Sequence, residues 1–260
     1  MSIDLSGKTA LVTGASRGIG RACALKLAQV GASLVLAGRN QPQLEAVASE
    51  VRSLGREALP LLMDVRSTES VEAAFEKARQ VFPSIDILVN NAGIAHSAPF
   101  QRWTDRDWAE VFEVNVNGVF RCSRAVLPIM QERRWGRIVN IASVAGKAGA
   151  AYITGYAASK HAVLGLTKAL AVEVAERGIT VNAVCPGYVE TDMAMMAIKT
   201  ITEKTKLNQQ QALEYLRSQT PQKRLFQVDE VAALVVYLCS EAAAGINGQA
   251  INICGGALPY

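Results

Sequence analysis

Apolar residues in this 260-residue chain gather into seven short runs rich in β-branched and aliphatic side chains. They are TALVT (9–13), SLVLA (33–37), ALPLLM (58–63), IDILVN (85–90), RIVNIA (137–142), TVNAVC (180–185) and QAINIC (249–254). The runs are nearly continuous in apolar character rather than alternating, the pattern of parallel strands covered on both faces. Helical periodicity separates them. Residues 18–30 carry Ile19, Cys23, Leu27 and Val30 at three- and four-residue spacing. Residues 41–54 and 67–82 read as surface helices, the second capped by Ser67, and two longer helices are predicted over 105–131 and 155–177. Strand and helix alternate from end to end with no linker, repeat or low-complexity tract. This predicts an α/β chain with one domain over residues 1–260, built on a doubly wound parallel sheet of about seven strands. The polar, helical stretch 192–226 breaks the rhythm and reads as an insertion over the sheet edge.

Composition narrows the class of protein. Half of the residues are hydrophobic and 19% are charged, as in an ordinary globular domain. The formal charge of +4 is small, and the densest basic run, ERRWGR (132–137), reads as a solvated turn, so no nucleic-acid partner is expected. Five widely spaced cysteines without a C-x-x-C pattern suit free buried thiols in a reducing compartment. His96 and His161 are too few for a histidine-rich metal site, and no metal is expected. Asp4 and Ser6 interrupt any early apolar run, and no stretch of about 18 apolar residues could span a bilayer, so a cytoplasmic location without membrane contact is expected.

TGASRGIG (13–20) admits two chemistries. Read as G-x-S-x-G through Gly14, Ser16 and Gly18, it could be a hydrolase nucleophile elbow. Read as a glycine-rich turn between strand and helix, it could cradle the pyrophosphate of a dinucleotide. Hydrolase elbows follow a mid-chain strand and need a later acid and histidine. Here the turn follows the first strand, and neither later histidine is placed for that role. The glycine reading has a strand before it, a helix after it, and Gly14, Gly18 and Gly20 where backbone must approach phosphate. The sheet is therefore expected to be Rossmann-like and Ser16 not a nucleophile.

A second constellation lies downstream. Tyr156 and Lys160 are four apart in a predicted helix and share one face. A phenol with a reference pKa of about 10 exchanges protons poorly at neutral pH. A neighbouring ammonium favours the phenolate and is expected to lower that pKa. The pair could then serve as general acid and base in an alcohol–ketone interconversion. Ser143 ends the fifth strand, where its hydroxyl could hold the substrate oxygen as charge develops. His161, beside the lysine, reads as an ordinary helix residue, and Trp103 with Trp108 as packing at a helix start.

TGASRGIG, NNAG (90–93), Ser143, YAASK (156–160) and PGYVET (186–191) together resemble the short-chain dehydrogenase/reductase family, in family order and over essentially the whole chain. The resemblance implies an oxidoreductase with Tyr156 as proton donor, Lys160 as its tuner and ribose contact, and Ser143 as holder of the substrate oxygen. It adds Asn115, in NVNG, positioning the lysine through water. It also implies cofactor contacts from Gly14, Ser16, Arg17, Gly18, Ile19, Gly20, Asn91, Ala92, Gly93, Pro186, Gly187, Val189 and Thr191, with Asp64 and Val65 near the adenine. A binding or regulatory protein on this scaffold would be expected to lack part of the Ser–Tyr–Lys set, which is complete here.

After the second strand, an acid would favour NAD(H) by accepting the ribose 2′-hydroxyl, whereas a 2′-phosphate needs a cation. The segment VLAGRN offers Ala37, Gly38 and then Arg39, and Arg17 could close a phosphate clamp from the other side, so NADP(H) is expected. GRIVNIAS, GITVNAVCPGYVET and NICGG look most like ketoreductases acting on β-keto acyl thioesters, including aromatic polyketide ketoreductases. NAD-dependent hydroxyacyl-CoA or alicyclic and aryl secondary-alcohol dehydrogenases are the alternative. The substrate is thus a small ketone or alcohol, carrier-bound, CoA-bound or free. Met193, Met195, Met196 and Ile198 suggest a greasy lid, with ordinary helix core as the competing reading. Surplus apolar positions on the two long helices suggest an interface, and the resemblance implies a homotetramer.

Overall fold

Every apolar run becomes a strand of one parallel sheet in the computed structural model, which describes residues 3–258. The strands are β1 (Thr9–Thr13), β2 (Ser33–Gly38), β3 (Ala58–Leu62), β4 (Ile87–Asn90), β5 (Gly136–Ile141), β6 (Ile179–Pro186) and β7 (Ala250–Ile253). Around them lie α1 (Gly18–Gln29), α2 (Gln41–Ser53), α3 (Thr68–Val81), α4 (Asp105–Phe112), α5 (Gly118–Arg133), α6 (Thr154–Val174), α7 (Asp192–Lys204), α8 (Gln209–Ser218) and α9 (Val228–Cys239). The sheet order is β3-β2-β1-β4-β5-β6-β7. The chain winds outward from β1 to β3 and then returns to β4 on the other side of β1. Loops leaving β1 and β4 therefore diverge and open a crevice at the carboxyl ends of the strands.

Side-chain alternation sorts the strands between two cores. Ala10, Val12, Leu34, Leu36, Ile87, Val89, Val139 and Ile141 pack with α1, α2 and α9. Leu11, Val35, Leu88, Ile138 and Val181 point the other way, onto α3, α5 and α6. Both faces are buried, which is why the runs carry no polar alternation. Ser67 caps α3 as expected, accepting from the Ser70 N–H at 3.0 Å.

Two expectations, the long helix and the basic run, need adjustment. The helix expected over 105–131 is two helices joined by a π-helical segment, Glu113–Asn117. There the Asn115 side chain grips the Ile94 backbone, its Oδ1 accepting from the N–H at 2.8 Å and its Nδ2 donating to the C=O at 2.9 Å. The wider turn accommodates that inward side chain. The 192–226 insertion is two helices with a small core of their own, Ile198, Ala212, Leu216 and Leu225. At its end the buried Phe226 makes an isolated parallel bridge with Val189, just beyond β6. ERRWGR is not one solvated turn: Glu132 and Arg133 end α5, and the exposed Arg134 makes the turn that follows. Arg137 is 2% exposed on β5, its guanidinium 4.5 Å from the Trp135 ring centroid and donating to the Gly136 and Gly178 carbonyls. Burial pushes its pKa down, against the pull of Glu241.

Candidate active site

The crevice begins with the turn after β1. Thr13, the last residue of that strand, accepts at Oγ1 from the N–H groups of Asn91 (3.0 Å) and Ala92 (2.9 Å). Asn91 returns the contact through Nδ2, donating to the carbonyls of Thr13 (2.9 Å) and Gly14 (3.1 Å). The ends of β1 and β4 are thus stitched together at the switch point. This closeness demands glycine: a Cβ at Gly20 would lie 2.3 Å from the Gly14 carbonyl oxygen, and Gly14 itself has φ +64°. Arg17 sits at the N-cap of α1 without a capping side-chain bond, and no acid occupies the first turn. The amide groups of Gly18, Ile19 and Gly20 therefore face the crevice edge uncapped, which fits a phosphate-bearing cofactor.

The cations expected beside that phosphate occupy different environments. Arg39 is exposed at the end of β2, close enough to Asp64 to help hold its carboxyl below the usual range, although the larger cause is the hydrogen-bonded Arg66. Arg66 engages both oxygens of Asp64, at distances down to 2.6 Å. Val65 is buried against Gly118. Arg17 points across the crevice instead, its Nη1 2.6 Å from Oδ2 of Asp192 in the first turn of α7. Thr191 lies under the same turn, its Cγ2 3.5 Å from where a Gly18 Cβ would stand. Pro186 closes β6, and Gly187 donates to the Ile253 carbonyl at 2.9 Å. Ser16 remains partly exposed in the loop.

Ser143, Tyr156 and Lys160 meet where β5 and β6 end. Ser143 follows β5 by two residues, and its Oγ accepts from the Ala145 N–H at 3.1 Å. One turn of α6 separates the half-buried Tyr156 from Lys160, which is 5% exposed. The Lys160 Nζ donates to the Ile141 carbonyl at 2.8 Å and lies 5.7 Å from the Tyr156 ring centroid. Gly93 is the common neighbour: a Cβ there would be 3.3 Å from Asn115 Oδ1 and 3.7 Å from Lys160 Nζ. Asn115 also donates to Ser159 Oγ at 3.0 Å, fixing the π segment to α6. His161 stays out of this group, its Nδ1 2.9 Å from the Ala157 carbonyl.

Electrostatics here depart from expectation. Burial pushes the Tyr156 phenol above its usual value, and the Ser143 hydroxyl beside it only partly offsets the rise. The ammonium expected to lower it is itself weakened, since burial brings Lys160 down to about 8. Desolvation is the largest cause of both shifts. The arrangement can hold a carbonyl oxygen between a serine and a tyrosine hydroxyl and keep a proton on the phenol until it is needed.

Reading the sequence brought out most of these residues but missed Thr13, Ser159 and Asp192. Thr13 adjoins the glycine turn and could have been flagged by position. Asp192 meets Arg17 across 175 residues, and no local pattern marks that pairing. Among the described residues, no group of three or more His, Cys, Asp or Glu is placed to hold a metal, and no helix is long and apolar enough to cross a membrane.

Known proteins resemble this chain over nearly its whole length. The 3-oxoacyl-(acyl-carrier-protein) reductase FabG of Aquifex aeolicus is 42% identical over 98% of this chain and 99% of its own length. Its counterpart from Escherichia coli K12 is 41% identical over 98% of each. Among solved structures, a single-residue variant of actinorhodin polyketide ketoreductase with NADPH superposes with a TM-score of 0.95 at 40% identity, covering both chains in full. Levodione reductase superposes at 0.93 and 36% identity, over 98% of this chain and 99% of its own. The family model for short chain dehydrogenases matches residues 8–202. With that match spanning three quarters of the sequence and the relatives spanning nearly all of it, the chain belongs to the short-chain dehydrogenase/reductase family.

Proposed function

We propose that this protein is an NADPH-dependent ketoreductase that reduces a β-keto group on an acyl thioester, carrier-bound or CoA-bound, to the secondary alcohol. The observation that carries the reading is the meeting of Ser143, Tyr156 and Lys160 beside an uncapped glycine turn that carries Arg17, with Arg39 and no acid at the end of β2. The names of the FabG and polyketide ketoreductase relatives support the substrate class.

Gly14, Ser16, Gly18, Ile19 and Gly20 would hold the pyrophosphate, Arg17 and Arg39 the 2′-phosphate, and Asp64 and Val65 would lie near the adenine. Asn91, Ala92, Gly93, Pro186, Gly187, Val189 and Thr191 would line the rest of the cofactor site. The bound nicotinamide supplies the hydride. Ser143 and Tyr156 receive the substrate oxygen as negative charge develops on it, and Tyr156 donates its proton there. A phenol kept neutral by burial is in the correct state for that donation. Lys160, with its Nζ 5.7 Å from the Tyr156 ring centroid, would contact the ribose of the cofactor and tune the tyrosine. Asn115 holds the segment beside it. The two helices of 192–226 form the lid of the substrate site, with Met193, Met195 and Met196 exposed on α7. Phe120 and Val172, 47% and 81% exposed on α5 and α6, support pairing of these helices across a two-fold axis in a homotetramer. The buried free cysteines support a reducing, cytoplasmic setting.

Initial rates of NADPH and NADH oxidation with an acetoacetyl thioester test the reading. NADPH should have the far larger kcat/KM, and Arg39→Ala should weaken it by about ten- to a hundredfold while leaving NADH nearly unchanged. Tyr156→Phe should bind cofactor normally and lose nearly all turnover. Equal constants for the two cofactors would remove the 2′-phosphate clamp. Substantial turnover by Tyr156→Phe would remove the proton donor.

A further inference from the structure

The helix that carries Tyr156 begins badly. Ile153, at its N-cap, makes no capping side-chain bond. Tyr152 just before it has φ +70°, the left-handed region that side-chain-bearing residues rarely adopt, and its own side chain is 62% exposed. A strained, uncapped start is a poor foundation for a group that must be held to a fraction of an ångström, unless neighbouring structure fixes it.

The loop that follows β4 provides that support. The Ala98 N–H donates to the Tyr152 carbonyl at 2.8 Å, and Trp103 donates through Nε1 to the Ala98 carbonyl at 3.1 Å. The same indole lies against Gly155, the residue preceding Tyr156. A Cβ at that position would stand 2.5 Å from Trp103 Cζ3 and 2.6 Å from Cη2. The ring occupies the place a side chain would take, so glycine and tryptophan at these two positions require one another.

Trp103 is fixed in turn. His96 meets it edge-on at 4.7 Å between centroids, and Trp108 meets it edge-on at 6.3 Å. Trp108 stacks on Phe112 at 5.0 Å, the last residue of α4 before the π segment that carries Asn115. An unbroken aromatic path joins the Asn115 segment to the turn bearing Tyr156.

We propose that Trp103 is a positioning residue for Tyr156: its indole, seated on Gly155, sets where the first turn of α6 stands relative to Ser143. The inference rests on the reading of Tyr156 as proton donor. Trp103 acts through Gly155 and does not touch the reacting atoms. Its role goes beyond the helix-start packing expected of a tryptophan pair, because the surface it packs against is the backbone next to the phenol.

The test uses Gly155→Ala, Trp103→Phe, Trp103→Leu and the Gly155→Ala/Trp103→Leu double variant, with Tyr156→Phe alongside. kcat and KM with an acetoacetyl thioester, the pH profile of kcat, and the NADPH Kd by fluorescence are measured for each. Gly155→Ala should lower kcat by on the order of ten- to a hundredfold, since small displacements of reacting groups cost this much. KM and NADPH Kd should stay within about twofold, because neither binding site is touched. Trp103→Phe, which keeps a ring on Gly155, should retain most of kcat. Trp103→Leu should lower kcat and displace its pH profile. In the double variant the new methyl group fills the space the indole leaves, and kcat should rise well above that of Gly155→Ala. Wild-type kcat in Gly155→Ala, or a double variant no faster than Gly155→Ala, overturns the proposal while the proton-donor reading stands. Turnover by Tyr156→Phe above about a tenth of wild type overturns both, since Trp103 would then have no proton donor to position.

Discussion

Replacing Lys160 with methionine should abolish turnover and make the protein more stable. The ammonium is 5% exposed, and burial brings its pKa from 10.5 to about 8. A depression of that size corresponds to about 3 kcal/mol of preference for the neutral amine in the folded state. Because the folded-state pKa lies below the unfolded one, the unfolded chain binds the extra proton between pH 8 and pH 10.5. The penalty is therefore present in full below pH 8 and is released as pH rises toward 10.5. Methionine has nearly the same reach and no charge. What it loses is the bond from Nζ to the Ile141 carbonyl, worth about 0.5–1.5 kcal/mol. The variant should thus be more stable than the wild type by about 2 kcal/mol at pH 7, and most of that gain should disappear by about pH 10. Urea denaturation followed by tryptophan fluorescence, at matched protein concentration, reads both points. A variant less stable than the wild type at neutral pH, or a gap of equal size at neutral and alkaline pH, would refute the reasoning. The expected result is a stability cost accepted for catalysis, confined to one buried amine.

Two further outcomes follow from charge and surface. Asp192→Asn should tighten 2′,5′-ADP binding about one-and-a-half- to fivefold and leave 5′-AMP unchanged, because Arg17 no longer has a competing carboxylate and exposed ion pairs contribute little more than this. Calorimetric titration checks it, and unchanged or weaker 2′,5′-ADP binding would show that Asp192 does not compete for Arg17. Light scattering at micromolar concentration should give four times the chain mass, and Phe120→Glu or Val172→Glu should reduce it. A monomer in the unsubstituted protein would exclude the pairing of α5 and α6.

The sheet was legible because its strands are buried on both faces, so each appears as an apolar run whose ends fall within two residues of the strand. Tyr156 and Lys160 were legible as a pair for a similar reason, since four-residue spacing in one helix fixes their common face without any tertiary information. The π segment was not legible. From Asp105 to Gln131 the chain reads as continuous helix, and the wide turn exists because Asn115 reaches the backbone of Ile94, 21 residues away. Local propensity has no access to that contact. Arg137 misled for the same reason: within ERRWGR it looks like a surface cation, while strand register places it inside, under Trp135.

Electrostatics mark the limit of sequence reading most sharply. Spacing alone places an ammonium near a phenol and argues for a lowered phenol pKa. Depth decides otherwise, because desolvation penalises phenolate and ammonium alike and shifts both toward their neutral forms. The same two residues give opposite conclusions according to a quantity the sequence does not encode at either position: how much protein lies above them. For a site whose task is to deliver a proton to a developing alkoxide, the neutral phenol is the useful state. The burial that contradicts the simple electrostatic argument therefore strengthens the chemical one. On the proposal made for Trp103 and Gly155, packing against the first turn of α6 is what sets where that donor stands.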